Sequence, residues 1–127
     1  MWETEKSIKD DLLMIGDDLL RIEFVIQCGK AFDGMSEEKK RERNLIKDCQ
    51  MKTWLDVFWD GDILKLNGDS ESLIVKGAIS FICEIYNKRE RREIRDYKCT
   101  LMEMPEFRNV FSPDQRRGIE SILRKIY

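Results

Sequence analysis

The fold of this chain is decided by the stretch Thr53-Trp54-Leu55-Asp56-Val57-Phe58-Trp59-Asp60-Gly61-Asp62-Ile63-Leu64-Lys65-Leu66. Its first half, residues 53–59, is rich in β-branched and aromatic side chains, which is typical of a strand. Asp60-Gly61 is a strong hairpin signal, and residues 63–66 supply the return strand. Residues 44–46 are a candidate for one more short strand. The pattern predicts a small antiparallel sheet of about three strands.

Helical patterns lie on both sides of this hairpin along the chain. Before it, apolar residues recur at helical spacing over residues 8–26, and Gly16 with a following aspartate predicts a break into two helices. After it, a helix capped by Asp69 or Ser70 is expected to run to about Tyr86. That helix is apolar nearly all round, which predicts that it forms the centre of the core.

Two more helices are predicted in the last third of the chain. Residues 91–104 are the less regular of the two, while Ser112-Pro113-Asp114-Gln115 combines a capping box with proline at the first helical position. The predicted fold class is therefore α+β, with a small antiparallel sheet packed against several helices. A length of 127 residues suits one domain over residues 1–127.

Composition argues against several classes of function. The 23 basic and 25 acidic residues give a net charge of −2, so no nucleic-acid partner is expected. No apolar run approaches membrane-spanning length and no signal peptide is recognisable, so we expect no membrane and a cytoplasmic location. The absence of histidine removes the usual general base of a serine or cysteine hydrolase. The four cysteines form no CxxC pair, so neither a zinc site nor a disulfide framework is expected.

Cys49 is the residue whose sequence surroundings indicate a reactive side chain. It lies in the short polar segment Asp48-Cys49-Gln50-Met51-Lys52, directly before the first predicted strand. A thiolate can attack a persulfide and hold its outer sulfur, and a turn held by a sheet can enter a partner's active site. Because other thiols would remove sulfur from an exposed persulfide, we expect Cys49 to be partly shielded. The alternative is an ordinary half-buried cysteine that acts as a small apolar side chain.

Two motifs resemble those of the SufE family of sulfur-acceptor proteins. Cys49, Gln50 and Trp54 match the family pattern G-C-Q-S-x-V-W. After the hairpin, residues 68–77 follow the pattern G-D-S-D-A-x-I-V-K-G at most positions. Weaker similarity in residues 24–30 and 112–120 extends the resemblance over most of the chain. The resemblance implies a SufE/IscU-like fold.

The resemblance also implies a function. SufE proteins take persulfide sulfur from a cysteine desulfurase, stimulate that enzyme, and relay the sulfur for iron–sulfur cluster assembly. Cys49 would be the sulfur carrier, with a SufS-like cysteine desulfurase and a downstream Fe–S scaffold as partners. The pyridoxal phosphate belongs to the desulfurase, so no cofactor and no metal are expected in this chain. The protein would be an accessory to an enzyme and not a stand-alone enzyme.

Further residues are candidates for contacting a partner or supporting the cysteine loop. They are Asp48, Gln50, Met51, Trp54, Asp69, Ser70, Lys76, Gln115 and Arg116. Three of these residues stand where the family motifs have another: Asp48 replaces glycine, Met51 replaces serine, and Gln115 replaces an arginine implied in docking the desulfurase. The carboxylate of Asp48 is expected to disfavour a thiolate at its neighbour.

Several of these assignments have alternatives. Arg116 or Arg117 could take over the docking role, while Gln115 could simply complete the helix cap. Helix capping alone also accounts for Asp69 and Ser70. The departures from the motif support a second hypothesis, an adaptor or regulatory module that keeps the SufE fold and has lost sulfur transfer. A cluster-assembly scaffold is the poorest fit, because it would need several converging cysteines.

Overall fold

The sheet of this fold is a two-stranded antiparallel hairpin, in a computed structural model that describes residues 1–127. Strand β1 is Thr53–Asp60 and strand β2 is Ile63–Ser70. Asp60 pairs with Ile63, which leaves Gly61 and Asp62 as a two-residue loop. Gly61 has a φ of +60°, a conformation that glycine adopts without strain. The hairpin prediction is confirmed, although β2 continues to Ser70 and does not end at Leu66.

The predicted third strand is wrong. Residues Glu42–Asn44 form a 3₁₀ turn, and Leu45 makes a single isolated bridge to Trp54. The N–H of Ile46 donates to the carbonyl of Thr53 at 2.7 Å, and the pairing goes no further. Because the chain turns back into β1 directly after this point, too few residues lie alongside the strand to build a ladder.

Six α-helices accompany the hairpin. They are α1 (Trp2–Met14), α2 (Asp18–Ala31), α3 (Leu73–Tyr86), α4 (Arg91–Arg95), α5 (Pro105–Arg108) and α6 (Pro113–Ile126). The break near Gly16 is confirmed, since Asp17 caps α2 by accepting the N–H of Leu20 at 3.1 Å. Residues 91–104 form only α4 and a 3₁₀ turn, Leu101–Glu103, so that helix is shorter than predicted. No helix has the length and apolar character needed to cross a bilayer.

Helix α3 forms the centre of the core, as its apolar sequence predicts. Most of its side chains are buried, and they belong to one apolar cluster with residues from the hairpin and the other long helices. Glycine lets α2 approach it closely, because a Cβ on Gly77 would lie 2.1 Å from the carbonyl oxygen of Val25. The predicted cap is wrong: Ser72 accepts the N–H of Val75 at 3.4 Å. Since β2 extends through Ser70, the helix starts later than the sequence suggested.

A buried carboxylate anchors α1 to the segment after α4. Glu5 accepts hydrogen bonds from the hydroxyl of Tyr97 and from the N–H and hydroxyl of Thr100, the last two at 3.1 and 2.8 Å. The Nζ of Lys9 lies 2.9 Å from the same carboxylate. Burial by itself would raise the pKa of Glu5, but these partners outweigh it and lower the pKa to about 2.

Candidate functional site: the Cys49 turn

Cys49 lies on a turn that is tied to the hairpin at both ends. The chain enters the turn at Ile46, whose N–H is bonded to β1, and leaves it through Lys52. The carbonyl of Lys52 accepts the N–H of Glu71 at 2.9 Å, just beyond the end of β2. These backbone bonds hold the thiol at a defined place beside the sheet.

One polar face of α6 holds the turn from the other side. The four residues of this polar face follow helical spacing and are Asp114, Gly118, Ser121 and Lys125. Asp114 accepts the backbone N–H of Gln50 at 3.1 Å, and Ser121 donates its hydroxyl to Asp48 at 2.6 Å. Lys125 donates to the carbonyl of Leu55 in β1 at 2.7 Å. The same helix face therefore binds the residues before and after Cys49 and the adjoining strand.

Gly118 lies directly against the thiol. A Cβ added to Gly118 would lie 2.9 Å from the Sγ and 3.1 Å from the Cβ of Cys49. Only glycine therefore lets the turn approach the helix this closely. Cys49 is half-buried and packs against the edge of the apolar core, which confirms the expected partial shielding.

Two hydroxyl groups lie on the inner side of the thiol. The Oγ1 of Thr53 is 3.5 Å from the Sγ of Cys49 and 2.8 Å from the Oγ of Ser70. Ser70 in turn accepts the N–H of Ser72 at 3.1 Å. Sequence reasoning missed Thr53, because the residue reads as an ordinary strand position. The available signal was a hydroxyl residue where the SufE pattern has valine.

Asp69 occupies a buried position next to these hydroxyls without touching the thiol. Its carboxylate accepts the N–H of Met35 at 3.0 Å and the N–H of Ser70 at 2.8 Å. The ammonium groups of Lys40 and Lys76 lie 3.5 and 3.4 Å away. Burial acts to raise the pKa of Asp69, but the two N–H groups and the two lysines outweigh it and hold the pKa below its usual value. Asp69 thus joins the end of β2 to the loop after α2, through Met35 and Lys40, and to α3, through Lys76.

The candidate docking residues of α6 are largely used within the fold. Gln115 accepts the N–H of Ser112 at 2.9 Å and donates its own N–H to the Ser112 hydroxyl at 3.2 Å, so it completes the helix cap. Arg116 donates its Nε to two backbone carbonyls, each at 3.0 Å. Arg117 is exposed, and only Asp114 lies near its guanidinium, at 3.4 Å. Arg117 is therefore the cation at the start of α6 that faces solvent.

The remaining candidates lie on opposite sides of the turn. Met51 is 48% exposed at the tip, beside the exposed side chain of Gln50. Trp54 is half-buried on the other face of β1 from Thr53, with the ammonium of Lys40 5.1 Å from its ring centre. The structure brings Asp48, Gln50 and Met51 together with Cys49, whereas Trp54 supports the strand behind it.

The other three cysteines are placed differently. Burial raises the pKa of both Cys83 and Cys99 to about 12, and it also raises the pKa of Cys28. Cys83 lies in the core. No group of three or more histidine, cysteine, aspartate or glutamate side chains is arranged to hold a metal ion.

The class of protein follows from comparison with known families. A family model described as "SufE: Fe-S metabolism associated domain" matches residues 6–127, so the chain carries a domain associated with Fe–S metabolism. The match covers nearly the whole chain, and with it the Cys49 turn and both motifs. The chain belongs to the SufE family, which confirms the resemblance seen in its motifs.

One curated relative agrees with this assignment, and one solved structure shares the fold. An uncharacterised SufE-like protein from Rhizobium etli is 32% identical over 92 residues, which are 69% of this chain and 62% of that protein. This chain therefore aligns with less than two thirds of the relative's length. The solution structure of a hypothetical protein from Thermus thermophilus is similar with a TM-score of 0.70 at 14% identity, covering 97% of this chain and 90% of that one. That likeness supports the predicted α+β fold, here with two strands.

Proposed function

We propose that this protein accepts persulfide sulfur on Cys49 from a cysteine desulfurase and passes it on for iron–sulfur cluster assembly. The observation that supports this most directly is the structural environment of Cys49. The thiol is half-buried on a turn that the hairpin and α6 hold in place, at the family's cysteine position. Burial disfavours the thiolate at the other three cysteines, which makes them poor nucleophiles.

The proposed step is a thiol–persulfide exchange. The thiolate of Cys49 attacks the outer sulfur of the persulfide on the partner's cysteine, and a new S–S bond forms at the Cys49 Sγ. The partner's S–S bond breaks, its cysteine leaves as a thiolate, and the proton stays on the transferred sulfur. Charge and electrons balance, so the step needs no oxidant, reductant or cofactor in this chain. A thiol of an Fe–S scaffold then takes the outer sulfur by the same exchange.

The exposed surface around the thiol suits a docking partner. Met51 offers an apolar side chain at the tip of the turn, and Arg117 offers a solvent-facing cation at the start of α6. In this proposal the desulfurase contacts both while its persulfide reaches Cys49. Freeing the desulfurase's cysteine would stimulate its turnover, so the protein acts as an accessory. We expect the reaction in the cytoplasm, where thiols stay reduced.

The test is intact mass after incubation with cysteine and catalytic amounts of a desulfurase from the same organism. Wild type should gain one or more sulfur atoms, and Cys49→Ser should gain none. Cys28→Ser is the matched control, because Cys28 is also half-buried and should be dispensable. Sulfur acceptance that survives in Cys49→Ser overturns the assignment. No gain on wild type, while the desulfurase turns over, favours the adaptor or regulatory module.

A further inference from the structure

Thr53 is the residue whose side chain reaches the sulfur of Cys49. Its Oγ1 lies 3.5 Å from the Sγ, and no other side-chain hydrogen bond to that sulfur is present. Thr53 has no solvent-exposed surface, so water does not substitute for its hydroxyl. The SufE pattern has valine at this position, which offers no hydrogen bond. The hydroxyl is therefore a feature of this chain and not of the family pattern.

Three consecutive hydrogen bonds lead from the N–H of Ser72 to the sulfur, and in each of them the donor can point toward Cys49. The N–H of Ser72 donates to the Oγ of Ser70 at 3.1 Å. The Ser70 hydroxyl, whose oxygen is 2.8 Å from the Oγ1 of Thr53, is then free to donate to it. The Thr53 hydrogen is left to donate to the Sγ of Cys49. Hydrogen bonds that run in one direction polarise one another, and each hydroxyl here gives and accepts once.

A competing acceptor makes the arrangement sensitive to the charge of the sulfur. The carbonyl of Met51 lies 3.1 Å from the Oγ1 of Thr53 and can accept its hydrogen while the thiol is protonated. A thiol sulfur is a weak acceptor, whereas hydrogen bonds to an ionised group are about twice as strong as neutral ones. Deprotonation of Cys49 therefore favours the hydrogen bond from Thr53 to the sulfur.

We propose that Thr53 is a second catalytic residue, whose hydroxyl stabilises the anionic sulfur of Cys49, and that Ser70 positions that hydroxyl. The inference rests on the proposed sulfur transfer. The anion exists before Cys49 attacks the incoming persulfide. It forms again when a downstream thiolate takes the outer sulfur, because that exchange breaks the Cys49 S–S bond and leaves the electron pair on the Sγ.

The same hydroxyl offsets an unfavourable neighbour in the sequence. Asp48 carries a negative charge next to Cys49, where the family pattern has glycine. Its carboxylate is bonded to Ser121 at 2.6 Å and lies 3.8 Å from the guanidinium of Arg124. Ser121 and Arg124 both belong to α6, so the carboxylate is held against that helix. The hydroxyl of Thr53 contacts the sulfur from the side of the sheet.

The test compares Thr53→Val, which removes the hydroxyl at nearly constant shape, with Thr53→Ser, which keeps it. The rate of Cys49 alkylation by iodoacetamide is followed by peptide mass over a range of pH. We expect Thr53→Val to move the midpoint of the pH–rate profile to higher pH and to slow alkylation near neutral pH roughly tenfold. Thr53→Ser should keep the wild-type midpoint. A purely packing role would change the plateau rate at high pH and leave the midpoint in place.

A second variant covers the case in which Thr53→Val does not fold, as judged by circular dichroism. Ser70→Ala removes the middle hydroxyl of the hydrogen-bonded series that ends at Cys49. It should shift the midpoint of the pH–rate profile in the same direction by a smaller amount. A wild-type midpoint in the folded variant overturns the proposal. Alkylation needs no partner protein, so the role of Thr53 is tested independently of the proposed sulfur acceptance. A shifted midpoint in a protein that accepts no sulfur contradicts only the proposed function, whereas an unshifted midpoint in a sulfur acceptor contradicts only the role of Thr53.

Discussion

Replacing Gly118 by alanine tests whether α6 sets the position of Cys49. The new methyl group would lie 2.9 Å from the Sγ and 3.1 Å from the Cβ of Cys49. Non-bonded atoms prefer separations of about 3.5–4.0 Å, so the methyl group would overlap the cysteine side chain by roughly half an ångström or more. Such overpacking costs about 1–3 kcal/mol, and alanine's better helix propensity offsets about 1 kcal/mol of that. We expect the free energy of unfolding to fall by up to about 2 kcal/mol.

The expected structural response is an outward movement of the Cys49 turn. The turn is bound to α6 through Asp48 and Gln50, and these single hydrogen bonds yield more easily than the packed helix. Cys49 should therefore become more exposed and react faster with iodoacetamide, while urea denaturation reports the loss of stability. Gly16→Ala is the matched control, because nothing lies within 4 Å of a Cβ at that position. It should change neither measurement appreciably.

A double-mutant cycle separates this contact from other effects of Gly118→Ala. In a Cys49→Ala background the Sγ is absent, so the added methyl group should cost less, with an interaction energy of about 1 kcal/mol. The reasoning is refuted if Gly118→Ala shows wild-type stability, wild-type alkylation and no coupling to Cys49. That result would mean that the turn does not rest on the helix.

Two further predictions concern the buried carboxylates. Asp69→Asn leaves Lys76 without its carboxylate partner and Lys40 with Glu37 alone, and it should lower the free energy of unfolding by roughly 2–3 kcal/mol in urea. Asp60→Asn, at an exposed position, should stay within about 0.5 kcal/mol of wild type, and equal losses in both variants would contradict a special role for Asp69. Glu5 has its pKa lowered from 4.5 to about 2, so the roughly 3 kcal/mol of stability that it contributes is present above pH 4.5 and is lost as the pH falls toward 2. Glu5→Gln should therefore lose less stability than wild type across that interval in urea titrations at each pH, and parallel curves for the two proteins would count against this assignment.

Local patterns in the sequence predicted the elements that depend on neighbouring residues. The hairpin at Gly61, the break near Gly16 and the capped final helix all follow from turn chemistry, capping and periodicity. The long α3 was predicted as the core helix because its apolar residues leave no polar face. The same kind of reasoning was wrong about a third strand, because pairing depends on where the chain turns and not only on β propensity.

Motif matching singled out Cys49 as the candidate sulfur carrier but did not predict which side chains surround it. Asp69 and Ser70 were read as helix caps, yet β2 runs through both and Ser72 caps the helix. Thr53 was overlooked, although its hydroxyl reaches the thiol. Gln115 stands where the family pattern has arginine, and its side chain completes a helix cap. For Thr53 the partner that decided the role of the side chain lay outside its strand, and for Asp69 and Ser70 the strand boundary differed from the predicted one, whereas the capping partner of Gln115 is local and was predicted.

The sequence by itself determined the class of fold, the family and the place of Cys49 at the start of β1. Only the tertiary structure decided how that thiol is held, because the polar face of α6 lies far along the chain. Gln50 meets Asp114 across 64 positions, and Asp48 meets Ser121 across 73. Contacts at such separations arise when the apolar sides of α3, α6 and the hairpin pack together, and no local pattern specifies them. The contacts that hold the Cys49 turn in place therefore result from packing of the core.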